Sequence, residues 1–125
     1  ALATRWPEAV ITALTRYLAE AGIEVIASVS RARSLEQNKH SSAAADHLLA
    51  LELGGQALRE APDAQALLMP GGLWHAIHAV PLLEAEHGRP VLLNILSTTW
   101  AALHAAGGRM LRRPDPRWGK VLASL

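Results

Sequence analysis

The chain has 125 residues, half of them apolar, which is enough for a single domain with a substantial core. The near balance of 12 Lys and Arg against 11 Asp and Glu residues argues against a nucleic acid or an anionic membrane as partner. The absence of cysteine excludes disulfides, thiolate metal sites and a cysteine nucleophile within these residues. With no apolar run of roughly 18 residues and no signal-peptide pattern, the sequence predicts a cytoplasmic protein.

Four short apolar runs alternate with longer helical patterns, which is typical of βαβ units. The runs are ALAT from Ala1, IEVIASVS from Ile23, ALLMP from Ala66 and PVLLNIL from Pro90. Each is bounded by Gly, Pro or polar residues, as expected for strands buried on both faces. The pattern predicts an α/β fold of three layers, αβα, with a four-stranded parallel sheet.

The first two helices are predicted from their end signals. One lies between Pro7, which suits a first helical turn, and Gly22, which suits a C-cap. Its predicted apolar stripe consists of Val10, Leu14, Leu18 and Ala21. The next begins near Ser41 or Ser42 as cap and runs to Pro62. It contains Gly54 and Gly55, whose cost in helix propensity indicates close packing against the sheet.

Two further helices are predicted in the second half of the chain. A third helical stretch follows Gly72, and Pro81 kinks or restarts it before Gly88. A fourth begins at Ser97, as a candidate cap, and stops at Gly107. Residues 109–125 are predicted to form an extended tail after the last helix. Residues 1–125 as a whole are predicted to form a single α/β domain.

In an open parallel sheet, ligands bind where the strands end and the following helices begin. Four loops satisfy that rule here: TRWPE, RARSLEQNKHSS, MPGGLW and ILSTTW. Backbone N–H groups at Gly71, at Gly72 and from Ser97 to Thr99 are predicted near helix starts, which suits a carboxylate or a phosphate. A Gly-Gly turn is also a common structural device in α/β folds, so this feature alone leaves both interpretations open.

Several familiar chemistries are excluded or disfavoured. Neither G-x-G-x-x-G nor G-x-x-x-x-G-K-[ST] occurs in the sequence. His75 and His78 have a spacing compatible with shared metal ligation, but no third ligand pairs with them, so no metal site is predicted. Ser97, His75 and Asp46 could form a triad on paper, but the serine lacks a G-x-S-x-G elbow.

The order of the segments resembles a known superfamily. The quoted parts are ALATRWPEAVITALTRYLAEAGIEV, then APDAQALLMPGGLW, then PLLEAEHGRPVLLNILSTTWAALHAAGG. Together they resemble the C-terminal half of the aspartate/glutamate/hydantoin racemase superfamily. Within it they are most similar to the branch of maleate cis-trans isomerases and arylmalonate decarboxylases.

The resemblance implies a flavodoxin-like half of a two-domain racemase-type fold, with the active site in the cleft between the halves. The partner of this chain would then be a half-domain before Ala1, and an exposed half-cleft predicts association, including a homo-oligomer. Members of the family use no metal or organic cofactor. They bind small dicarboxylates or α-substituted acids through loop N–H groups and hydroxyls, and use cysteine thiols as nucleophile or proton carrier.

Three positions can be compared with the family pattern, and two of them depart from it. The cysteine of this half falls at Pro70 or Gly71, neither of which can transfer a proton. Trp6 stands where many relatives have tyrosine, and its indole N–H can donate a hydrogen bond but cannot act as a phenolic acid. Asn38 falls where maleate isomerases carry a substrate-binding asparagine.

Three functional interpretations stay open. A thiol on the other half could perform isomerisation or decarboxylation while this half binds carboxylates. His75 could replace the thiol as the acid, since imidazole titrates near neutral pH. The fold could also serve binding or regulation without turnover. The predicted substrate-binding residues are Thr4, Trp6, Asn38, Pro70, Gly71, Gly72, Trp74, Ser97 and Thr98.

Overall fold

The structure, a computed structural model, describes residues 1–107 and 115–124. Four parallel strands form its sheet in the order β2-β1-β3-β4. The strands are β1 (Leu2–Thr4), β2 (Ser28–Ser30), β3 (Leu67–Met69) and β4 (Val91–Leu93). In the described ranges, the helices are α1 (Glu8–Glu20), α2 (Leu35–Lys39), α3 (Ala43–Glu60), α4 (Val80–His87), α5 (Asn94–Ala105) and α6 (Lys120–Ala123), and short 3-10 turns cover Ile77–Ala79 and Pro116–Trp118.

The strand order reverses once. The chain passes from β1 outward to β2, and then back across β1 to β3 and β4. Because βαβ crossovers are right-handed, this reversal places α1 on the opposite face of the sheet from α3 and α4. Helix α3 contacts the three strands β1, β2 and β3, and α4 contacts α3 and β4. The predicted α/β fold with a four-stranded parallel sheet is therefore confirmed.

The core is concentrated on the face that α3 and α4 cover. It is built from small and branched side chains of the strands and of these two helices, among them Met69, Leu93, Leu53, Val80 and Leu83. On the opposite face, α1 buries only Ile11, and Leu68 of β3 and Leu92 of the edge strand β4 are partly exposed. The expectation that all strands are buried on both faces is thus wrong, and holds only for β1.

Two strands are shorter than predicted. The run from Ile23 is a strand only at Ser28–Ser30, because these are the residues that pair with Leu2–Thr4 of β1. The run from Pro90 is a strand only at Val91–Leu93, which completes the ladder with the three residues of β3. Continuous apolar character does not reveal where a strand loses its partner.

Helix α1 has the predicted ends but a different buried face. Pro7 is its N-cap, and Gly22 follows its C-cap residue with a φ of 77°. The predicted apolar stripe is wrong at Val10, which is 42% exposed, whereas the neighbouring Ile11 is buried. The side chain that faces the sheet is therefore one position along from the one expected.

Helix α3 confirms the predicted cap and the packing role of its first glycine. The Ser42 hydroxyl accepts a hydrogen bond from the Ala45 N–H at 3.1 Å. A Cβ on Gly54 would lie 2.8 Å from Leu83 Cδ1 and 3.0 Å from Leu67 Cδ2, so only glycine allows α3 to approach α4 and β3 this closely.

Three features around the later loops were not expected. Helix α2, with its capping box between Ser34 and Gln37, forms inside what was predicted to be a loop. No helix follows Gly72 directly; instead the chain is irregular up to the 3-10 turn. The predicted restart at Pro81 is confirmed, because Pro81 lies in the first turn of α4. Helix α5 begins at Asn94, three residues before the predicted cap Ser97.

The predicted extended tail is only partly within the described residues, since 109–114 and 125 lie outside them. Its described part, residues 115–124, is folded rather than extended. Helix α6 packs against α5 and β4, and Leu122 is buried in the core. The Lys120 N–H also donates to Glu84 Oε2 at 2.8 Å. In the same described ranges, no helix is both long and apolar enough to cross a bilayer.

The two adjacent glycines of α3 provide a matched test of this packing. We expect Gly54→Ala to be less stable than Gly55→Ala by about 1–3 kcal/mol, the usual cost of overpacking a core. Both variants gain the same helix propensity, but the Cβ at Gly55 would meet only the end of the Arg59 side chain, at 3.0 Å. Urea unfolding measures the difference, and equal stabilities would contradict the close approach.

Candidate functional site

A small cleft lies where β1 and β3 end and α2 passes nearby. It encloses about 140 Å³. Five of the nine predicted substrate-binding residues line it, together with three that were not predicted. The predicted ones are Trp6, Asn38, Pro70, Gly71 and Gly72, and the others are Arg5, Leu35 and Leu73.

The two glycines bring the backbone close to the side chains of the cleft. Gly71 has a φ of 109°, a conformation that favours glycine, and a Cβ built on it would lie 3.7 Å from Trp6 Nε1. A Cβ on Gly72 would lie 4.0 Å from Asn94 Nδ2 at the start of α5. The turn therefore lies between an indole and an amide, both of which are hydrogen-bond donors.

Several polar groups of the cleft have no partner within the described residues. In that part of the chain, no hydrogen bond is made by the backbone N–H groups of Gly71 and Gly72. The hydrogen bonds of Trp6 involve its backbone atoms, which leaves the indole N–H available. The Asn38 Oδ1 atom is buried without a donor. Of these groups only Asn38 Oδ1 is buried; Gly71 and Trp6 are partly exposed and Gly72 is exposed, so their N–H groups are open to water or to a ligand. A buried polar atom normally has a partner, so Asn38 Oδ1 indicates a place for a donor group or ordered water.

A buried ion pair supports the cleft from beneath. Arg5 Nη1 donates to Asp46 Oδ1 at 2.9 Å, and the side chains are 5% and 0% exposed. Asp46 lies in the first turn of α3, where a negative charge also favours the helix dipole. The Arg5 guanidinium stacks over the Trp74 ring, 4.9 Å from its centroid. Although Arg5 borders the cleft, its charge is directed at Asp46.

The same pair holds the loop that follows the two glycines. Asp46 Oδ2 accepts from the His75 backbone N–H at 3.0 Å, and the Asp46 carbonyl accepts from the Trp74 indole N–H at 3.1 Å. Arg5 Nη2 donates to the carbonyl of Leu73. Two loop residues, Leu73 and His75, are thus bonded to the side chains of the ion pair, and Trp74 between them is bonded to the backbone of Asp46.

These contacts lower the pKa of Asp46 below its ordinary value. Burial alone would raise this pKa, but the hydrogen bonds from the Ser41 hydroxyl and the His75 N–H, with the charge of Arg5, more than offset it. The Ser41 hydroxyl lies 2.6 Å from Asp46 Oδ1. Burial lowers the pKa of Arg5, an effect that Asp46 opposes, and a guanidinium remains charged in either case. Asp46 is therefore a carboxylate at neutral pH.

Four predicted binding residues lie outside the cleft lining. Thr4 is fully buried, and its Oγ1 accepts from the Trp6 N–H at 3.2 Å. Trp74 is buried, with its indole N–H bonded to Asp46 rather than available to a ligand. Ser97 and Thr98 lie within α5. Since α5 starts at Asn94, the predicted free N–H groups from Ser97 to Thr99 are wrong, and the first turn of the helix provides them instead.

The histidines do not converge on the cleft. The His75 side chain is 64% exposed, and its Nδ1 lies 3.2 Å from Asp46 Oδ2. His78 borders a separate depression with Arg117 and Trp118. Within residues 1–107 and 115–124, no three potential metal-ligating side chains lie together.

The chemistry available to the cleft is that of binding. Its lining contains no carboxylate, histidine, tyrosine or lysine, and Arg5 is committed to Asp46. A larger pocket of about 320 Å³ lies beside α5, but its lining is mainly apolar and includes the carboxylate of Asp115, which disfavours an anion.

Sequence reasoning missed Arg5 and Asn94, and it considered Asp46 only as a member of a disfavoured triad, not as the counter-charge of Arg5. Arg5 could have been noticed as a charge directly after a strand, and Asn94 as an amide in a strand-to-helix turn. The pairing of Arg5 with Asp46, 41 positions apart in the chain, has no local signal.

Comparison with known proteins identifies the family of this fold and cleft. Residues 1–115 match the family model described as arylmalonate decarboxylase. The chain belongs to the arylmalonate decarboxylase family. This confirms the predicted branch of the racemase superfamily.

Solved structures agree with the family assignment. A crystal structure of arylmalonate decarboxylase is similar with 26% identity and a TM-score of 0.82, and the match covers 100% of this chain and 53% of that one. A maleate isomerase from Pseudomonas putida S16 has the same fold, with 22% identity and a TM-score of 0.77 over 98% of this chain and 46% of that one. No curated protein matches the chain significantly. The chain thus spans about half the length of these family structures.

The Arg5–Asp46 pair makes a prediction about stability. We expect Asp46→Asn to lower the free energy of unfolding at pH 7 by about 3–5 kcal/mol, because the variant leaves Arg5 buried without a counter-charge. The folded-state pKa of Asp46 is lowered, so its contribution is complete above the unfolded value of about 3.9 and is lost as pH falls through the folded-state pKa. Acidification should therefore destabilise the wild type more steeply than the variant in urea unfolding.

Glu52→Gln is the matched control for that experiment. It removes a carboxylate from the same helix, but one that pairs with Arg31 on the surface, where both side chains are 51% exposed. We expect a change of about 0–1 kcal/mol. An equal effect of the two substitutions would show that the buried pair has no special role.

Proposed function

We propose that this chain is one half of a decarboxylase or isomerase that needs no cofactor and acts on small dicarboxylates or α-substituted acids. In this proposal the chain provides the carboxylate-binding loop, and a second half-domain provides the group that moves the proton. The observation that carries the proposal is the set of unpartnered donors around Gly71, in a cleft that contains no acid or base.

A carboxylate would be held by neutral donors. The N–H groups of Gly71 and Gly72 and the indole of Trp6 would bind its oxygens, and the amide of Asn38 would contact the same ligand. In a cleft with little water, such fixed dipoles stabilise negative charge, and they do so most where charge accumulates during reaction. Loss of CO₂ from a malonate leaves an electron pair shared with the remaining carboxylate, so the same donors would stabilise that intermediate.

Two related structures support an anionic ligand. One is of a maleate isomerase with maleate. The other, 28% identical to this chain, is of an arylmalonate decarboxylase variant in a sulfate ion associated form. Both ligands are small anions with oxygen acceptors, which suit N–H donors of the type found in this cleft.

A second candidate function is binding or regulation without turnover. It is favoured by the lack of any cysteine in the 125 residues, and by Pro70 and Gly71 at the position where the family resemblance places a thiol. His75 is a weaker replacement for the thiol, because its side chain lies beside Asp46 and not in the cleft lining.

The anion-binding proposal predicts a graded loss of affinity. We expect Trp6→Phe, which keeps an aromatic ring but removes the N–H, to weaken maleate binding roughly tenfold, since a hydrogen bond to a charged group contributes about 1.5–3 kcal/mol. We expect Gly71→Val to abolish it, because a β-branched residue strains a φ of 109°. Isothermal titration calorimetry of folded variants measures both, and unchanged affinity in Gly71→Val would make the loop purely structural.

Charge in the cleft gives an independent check. Asn38→Asp should prevent maleate binding, because it places a carboxylate beside the ligand. Gln65→Glu adds the same charge before β3, at the end of the strands opposite the cleft, where the side chain is exposed. That control should bind like the wild type, and equal losses in both variants would indicate only a change in net charge.

Turnover separates the two candidate functions. The protein, together with its second half, is incubated with an arylmalonate or maleate in D₂O and followed by proton NMR. An enzyme should form the decarboxylated acid or the trans isomer, or exchange an α-proton. Binding of the acid without any of these changes would support the regulatory candidate and contradict the enzymatic one.

A further inference from the structure

The loop from Gly71 to His75 lacks regular structure, yet its second half is firmly bonded. Leu73, Trp74 and His75 each make a hydrogen bond to Arg5 or Asp46. The two residues that would bind a carboxylate, Gly71 and Gly72, immediately precede these anchored residues. They have no anchor of their own among the described residues.

We infer that Arg5 and Asp46 are positioning residues, which fix the loop so that the N–H groups of Gly71 and Gly72 point into the cleft. The inference rests on the proposed function, since it concerns the same binding loop. Neither residue would contact the ligand through its charge. Their role would be to order the loop before the ligand arrives.

The geometry favours this role over simple core stabilisation. Asp46 uses both carboxylate oxygens: one accepts from Arg5 and Ser41, and the other from the His75 N–H. The hydrogen bonds to Asp46 therefore join the end of β1, the chain before α3 and the loop from Gly71 to His75. An ion pair needed only for stability would not require bonds from both of its side chains to the backbone of the loop, at Leu73 and His75.

Ordering in advance matters because glycine has the largest conformational entropy to lose. Two adjacent glycines held only by the ligand would have to be ordered at the moment of binding, which reduces affinity. The bonds on Leu73, Trp74 and His75 restrict the loop beforehand. Pro70, with its fixed φ, restricts it from the other side.

Charge-conserving variants test the inference. Arg5→Lys keeps the positive charge but cannot bond Asp46 and the Leu73 carbonyl together, because lysine lacks the guanidinium fork. Trp74→Phe keeps the ring against Arg5 but loses the bond to the Asp46 carbonyl. Leu53→Ala is the control: it opens a cavity about two turns further along α3, which destabilises the fold but removes none of the hydrogen bonds of the loop.

Two measurements are made on the full chain, at a temperature where every variant used is folded by circular dichroism. The first follows the Gly71 and Gly72 amides without ligand, by NMR relaxation and hydrogen exchange. We expect faster exchange and increased mobility at these two amides in Arg5→Lys and Trp74→Phe, but not in Leu53→Ala. Unchanged amides in both loop variants would overturn the inference.

The second measurement is affinity for maleate. We expect a loss of about tenfold in Arg5→Lys, a few-fold loss in Trp74→Phe and none in Leu53→Ala. Equal losses in the control and in the loop variants would overturn the inference in favour of a general stability effect. If Arg5→Lys does not fold, Asp46→Glu decides, because it keeps the negative charge but displaces the carboxylate from the His75 N–H.

The failures of the two proposals are distinguishable. If wild-type protein binds neither maleate, an arylmalonate nor sulfate, the proposed function fails, while the amide measurements still decide whether the ion pair orders the loop. If wild type binds maleate but loosening of the loop leaves affinity unchanged, the positioning role fails and the proposed function stands.

Discussion

The ion pair between Arg5 and Asp46 connects the parts of this molecule that surround the candidate cleft. It joins the end of β1 to the first turn of α3, and both residues also hold the loop after β3. A buried ion pair contributes little net stability compared with apolar side chains, yet removing one partner is costly. Its physical value is therefore specificity, because only one arrangement of strand, helix and loop satisfies every donor and acceptor.

In the cleft next to this ion pair, the charged side chain and the groups available to a ligand are different. A positive side chain borders it, but its charge is neutralised from below by Asp46, so the groups available to a ligand are neutral N–H donors and an amide. Such donors can stabilise a carboxylate and the charge that develops on it, but they cannot exchange a proton. This is consistent with a loop that has Pro70 and Gly71 where the family resemblance places a thiol.

The fold is built unevenly around the sheet. One face is sealed by α3 and α4, and Gly54 allows them to approach closely, whereas α1 covers the other face with a single buried residue, Ile11. Leu68 and Leu92 remain partly exposed on that side. The chain spans about half the length of the related decarboxylase structures.

The sequence by itself determined the fold class, the starts of two helices near Pro7 and Ser42, and the loop that contains Gly71, because these depend on local periodicity and on residues with special backbone preferences. It also indicated Trp6, Asn38, Gly71 and Gly72, which the structure brings into one cleft. The ends of β2 and β4 and the start of α5 were decided by tertiary structure, since a strand continues only where a neighbour pairs with it. The pairing of Arg5 with Asp46 was also decided by tertiary structure. The two residues are 41 positions apart in the chain, and they form an ion pair because folding buries them together, so that each is the counter-charge of the other.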